Sequence, residues 1–112
     1  MRRAIVKVHD ERAAVLEELE DRRFRVTYLP GYAGAPVSLA MPLRAEAYDF
    51  ASFPPYFDGV LPEGGQLDAL LRLAKIDASD TMGQLLWVGG DLVGAVTVEA
   101  LPDEIQSNGD AA

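Results

Sequence analysis

The 112-residue chain has no cysteine, one histidine and one tryptophan. Without cysteine there is no disulfide framework and no thiolate metal site. No apolar run approaches the roughly 20 residues that a membrane-spanning helix needs. The opening Met1-Arg2-Arg3-Ala4-Ile5-Val6-Lys7 is basic but lacks the long apolar stretch of a signal peptide. These absences lead to the expectation of a soluble, cytoplasmic domain with no membrane partner. Cations are scarce in one half only. Residues 61–112 hold Arg72 and Lys75 against nine acids, a net of −7, whereas residues 1–60 come to −1. Such a field repels a phosphate backbone, so direct nucleic-acid binding is not expected. It serves solubility, or attraction to a basic protein face.

What is present suits one domain with a single core, because nearly half the residues are apolar. The first third reads as a β-meander. "RRAIVKV" and "AAVLEEL" flank a polar turn at His9-Asp10-Glu11, and "EELEDRR" forms an exposed hairpin connection. In "RFRVTYL", Phe24, Val26 and Tyr28 alternate with Arg23, Arg25 and Thr27, the pattern of a sheet with one wet face. "PVSLAMPL", bounded by prolines and alternating Val37, Leu39 and Met41, reads as an edge strand.

Pro54 and Pro55 suit the first turn of a short helix, and Pro62 ends it. Leu67, Leu70, Leu71 and Ala74 then follow helical spacing, a stripe expected to press onto the sheet. A second long helix, with cap candidates Asp77, Ser79 and Asp80, carries Met82, Leu85 and Leu86 and stops at Gly89-Gly90. "LVGAVTVEAL" forms the last strand. The expected fold is α+β: a small antiparallel meander sheet with short helices packed on one side. The domain spans 1–102 and 103–112 is a polar flexible tail.

"FPPYFDGVLPEGG", residues 53–65, carries the sharpest functional question. Asp58 and Glu63 are candidate paired carboxylates, but five residues with Gly59 and Pro62 between them need not share a face. Asp58 can instead accept from nearby backbone N–H groups, and Glu63 sits favourably near the start of the leucine helix. His9 lies in a turn without a nucleophile or a pocket. "GGDLVG" at 89–94 lacks the lysine and following helix of a phosphate cradle. No His/Asp/Glu cluster has metal-ligand spacing. Neither enzyme activity nor a cofactor is expected. Tyr56, Phe57, Val60 and Leu61 are many apolar side chains beside one turn, and those left outside the core would form a docking patch. Trp87, at a helix end, is either a core lid or an exposed interface anchor.

"APVSLAMPLR" (35–44), "YFDGVLPEG" (56–64) and "MGQLLWVGGDLVGAVTV" (82–98), together with the meander before them, resemble the N-terminal subdomain of HipA-type serine/threonine kinases. The likeness runs in order over nearly the whole chain and departs from the family pattern at Ala40, Met41 and Trp87. In that family of bacterial toxins the ATP-binding and catalytic motifs lie after this subdomain, so the resemblance implies a non-catalytic part. A free-standing copy is similar to the HipS-type antitoxins of three-gene HipBST modules, where the kinase lacks the subdomain. The resemblance thus implies a toxin–antitoxin role: binding and inhibiting a HipT-like serine/threonine kinase, together with a HipB-like helix-turn-helix protein. The alternative is an N-terminal subdomain, separately encoded or truncated, that supports a HipA-type kinase core. The expected partner-binding residues are Tyr56, Phe57, Asp58, Leu61, Glu63 and Trp87.

Overall fold

A computed structural model describes residues 1–92 and 94–102. The tail expected at 103–112 lies outside the described residues. Strands β1 (Arg3–Val8), β2 (Glu11–Glu18), β3 (Phe24–Tyr28), β4 (Tyr48–Phe50) and β5 (Val96–Leu101) form one antiparallel sheet in the order β4-β3-β2-β1-β5. Helices α1 (Pro55–Val60), α2 (Gly64–Ala74) and α3 (Thr81–Val88) come between β4 and β5. The fold is α+β, as expected.

The alternation in the sequence sets the sheet's two faces. Val6 pairs with Ala14 and Val98, Leu16 with Ala4 and Val26, and all six are buried in the core. The core closes on Phe57, Leu61, Met82 and Leu85 from the helical side. The other face carries charge pairs, Lys7–Glu99 at 3.1 Å and Arg25–Asp49 at 2.6 Å. Ile5 is buried on this outer face, outside the main core cluster. A register shift between Val6 and Lys7 bulges β2 at Ala13, which tightens the local twist.

Both hairpin connections use left-handed backbone on non-glycine residues. His9 and Asp10 have φ of 51° and 64°, which suits a two-residue turn matching the strand twist. Asp21 and Arg22, at 62° and 59°, turn the chain from β2 into β3. His9 is exposed, and its backbone N–H donates to the Ala95 carbonyl at 2.9 Å.

Two expectations fail. The edge strand is Tyr48–Phe50, not 36–43. The earlier segment instead wraps the Tyr28 hydroxyl, which accepts from the Val37 N–H at 2.9 Å and donates to the Met41 carbonyl at 2.5 Å. Val37 and Met41 are buried, while Leu39 between them is 96% exposed. A buried hydroxyl that satisfies two backbone groups removes the need for a strand ladder there. The second failure is the leucine stripe. In α2 only Leu70 is buried, outside the main core cluster, and the helix packs chiefly on α3 rather than on the sheet.

Candidate functional site

The elbow at 53–64 is built inward. Pro54 is fully buried and Pro55 opens α1, where a missing N–H is no loss. Phe57 is 0% exposed, with its ring edge-on to Tyr56 at 5.2 Å and tilted against Phe53 at 6.5 Å. Phe53 in turn packs edge-on against Phe24 of β3 at 5.1 Å, so the aromatic chain bolts the elbow to the sheet. Leu61 caps α1 with extended backbone (φ −74°, ψ 151°), as a residue before proline prefers, and is buried. Tyr56 is half-buried, and that burial pushes its phenol up from the usual tyrosine range.

The elbow's carboxylates face solvent. Asp58 is exposed, and its backbone carbonyl, not its side chain, takes the Leu61 N–H at 3.3 Å. Glu63 is the residue capping α2, also exposed, and its side chain accepts no capping bond. Gly64 follows with φ of 59°, a conformation that favours glycine at this turn into the helix. Glu63 therefore stands at the helix start, as its position in the sequence suggested, without closing a pocket with Asp58.

Trp87 lies on the outer side of α3 and is 60% exposed, while Met82 and Leu85 fill the core from the opposite side. Trp87 is therefore not a core lid. Leu73 on α2 is 81% exposed. Sequence reading missed Leu73 because it falls off the stripe of 67, 70, 71 and 74. Phe57 and Leu61, by contrast, are committed to the core, whereas Asp58 and Glu63 are exposed and Tyr56 is half-buried. Two grooves flank it. One of about 390 Å³ is lined by Met41, Tyr48, Phe50, Pro54 and Tyr56. The other, about 570 Å³, lies between the elbow and the end of α3.

An ion network that the sequence did not advertise holds the helical side in place. Arg2 donates to Glu18 at 2.8 and 2.9 Å and to Asp80 at 2.8 and 3.2 Å. Asp80 also caps α3 by accepting the Gly83 N–H at 2.9 Å. The Arg2 guanidinium holds both carboxyls below the usual carboxylate range, and they raise its own proton affinity in turn. The adjoining cavity of about 520 Å³ opens onto these groups. Its carboxylates are already spoken for by Arg2, which suits anchoring rather than proton transfer. Gln84 completes the local frame: buried, it donates to the Asp77 and Ala78 carbonyls at 3.2 and 3.1 Å.

With this geometry in hand, comparison with known proteins is specific. Residues 4–99 match the HipA N-terminal domain family. The chain belongs to that family. A solved structure of the N-terminal domain of HipA toxin superimposes with a TM-score of 0.72 at 28% identity, covering 93% of this chain and 96% of that one. A protein of Haemophilus influenzae, described as uncharacterized, is 32% identical over 94 residues, which are 84% of this chain and 88% of that protein. The matched family is an N-terminal domain of HipA and not its kinase catalytic domain. It links the chain to HipA-type toxin systems.

Proposed function

We propose that this protein is a non-catalytic antitoxin module that binds a HipT-like serine/threonine kinase in the cytoplasm and holds it inactive, with a HipB-like helix-turn-helix protein in the same complex. The observation that carries the reading is a pair of large apolar side chains in solvent, Trp87 and Leu73. They stand on the helical half of a domain whose solved counterpart belongs to a toxin. A monomer gains nothing from exposing them, whereas an interface uses tryptophan as an anchor. The Haemophilus relative adds support, since 88% of its length is this same domain. The partner-binding surface combines Trp87 with Tyr56, Asp58 and Glu63 of the elbow, and Phe57 and Leu61 shape it from beneath.

Co-expression with a shortened kinase from the same operon tests the proposal. The kinase alone arrests growth, and this protein restores growth and copurifies with the kinase. Unrelieved arrest with no complex refutes it. A second reading, a subdomain that supports the kinase core, draws on the 96% coverage of the HipA toxin domain. It predicts that co-expression raises kinase activity. Under both readings the isolated protein shows no saturable ATP binding by calorimetry, because the phosphate-handling motifs belong to the kinase.

A further inference from the structure

The groove between the elbow and the end of α3 has an apolar lining of Val60, Leu61, Val88 and Leu92. Glu63 and Asp91 also line it, and both are exposed. No lysine or arginine lines the groove, and neither carboxylate forms an ion pair among the described residues. Apolar walls with two unpaired anions define a narrow class of occupant. A wholly apolar segment would cover both carboxylates without partnering them, and an acidic one would be repelled. A lysine or arginine side chain satisfies both parts, because its aliphatic stem lies along apolar surface while its cationic head stays at the polar rim.

We propose that this groove receives a lysine- or arginine-bearing segment of the kinase, with the stem between Leu61 and Val88 and the head between Glu63 and Asp91. The inference rests on the antitoxin reading above. The chain's own end does not fit: residues 103–112 carry Asp103, Glu104 and Asp110 and no Lys or Arg. The surrounding charge favours the same occupant, since residues 61–112 net −7 and would steer a basic surface toward this half.

The test titrates the purified kinase into the full-length protein by calorimetry, with thermal melting and light scattering on every variant. Glu63→Arg with Asp91→Arg reverses the groove. Glu11→Arg with Glu46→Arg makes the same change in net charge at exposed positions in the other half. The groove pair should weaken binding about tenfold or more, the control pair less than about threefold, with melting temperatures alike. Equal weakening by both pairs overturns the groove and leaves the antitoxin reading standing. Wild-type protein that neither binds nor inhibits the kinase overturns the antitoxin reading and the groove with it. Self-association of the wild type that the groove pair abolishes makes the occupant a second copy and also overturns the inference. If the reversed pair melts early, Glu63→Gln with Asp91→Asn decides, with about threefold weakening expected and none refuting it.

Discussion

The two halves of this domain treat their apolar residues differently. Along β1, β2 and β3 the core-facing side chains, from Ala4 and Val6 through Leu16 to Val26, are all sealed. Helix α2 has leucines at 67, 70, 71 and 73 and buries only Leu70. A strand in mid-sheet is fixed by ladders on both edges and by its core face together. A helix satisfies its own backbone and can lie against the body by one side chain. The sheet is therefore the part that specifies the fold, and the helical side is the part free to carry a surface.

Phe57→Ala should break that division most severely, because the residue sits in the helical region but belongs to the sheet's core. Removing its buried ring should cost about 3–5 kcal/mol in urea unfolding, enough to leave a marginal domain partly unfolded. Trp87→Ala sharpens the contrast from the other side. Its melting temperature should match the wild type, while kinase affinity falls by about 2 kcal/mol, roughly thirtyfold by calorimetry. Early melting of the tryptophan variant would return that side chain to the core.

Next in size is the tie between the halves. Asp80→Ala removes the cap of α3 and one partner of Arg2, and should cost about 1 kcal/mol. The same tie predicts an acid response. Glu18 and Asp80 have folded proton affinities lowered by Arg2, so their stabilisation is present above the ordinary carboxylate value and disappears as pH falls through the folded one. Melting of the wild type should drop below about pH 4, and Asp80→Ala should flatten that fall. The effect is modest because these side chains are partly exposed. Smallest of all, Asp49→Asn should leave the melting temperature unchanged. Its pair with Arg25 is solvent-screened on the sheet's outer face.

Much of the sheet could be read from the chain, since Phe24, Val26 and Tyr28 alternate over enough residues to declare a face. The fourth strand could not. Tyr48 and Phe50 make an alternation of only three residues, and "PVSLAMPL" offered a longer one that the Tyr28 hydroxyl diverts into a loop. The helices were legible in position but not in packing. Spacing of 67, 70, 71 and 74 marks one side of a helix without saying what covers it. At the candidate site, the prolines announced the elbow and its limits, but not that Phe57 and Leu61 point inward. That orientation depends on Phe53 and Phe24, brought together only by the fold. The Arg2–Glu18–Asp80 network joins residues far apart in sequence, so no local pattern signals it.

The pairing of β1 with β5 sets Arg3 beside Leu101, nearly the full length of the chain apart. Every other ladder in the sheet joins neighbours in the sequence, so this one closes by far the largest loop. Against a tight hairpin its closure costs about 3 kcal/mol more in chain entropy, at about 0.6 kcal/mol for each doubling of length. The β1–β2–β3 hairpins can form early, whereas β5 must wait for the helices and should zip last, making it the rate-limiting strand of folding. A circular permutant that joins the ends by a short linker and opens the chain in the loop between β3 and β4 would make that slowest ladder local and leave only the three-pair β3–β4 ladder to close over a long loop. It should fold faster than the natural order, with the same native contacts.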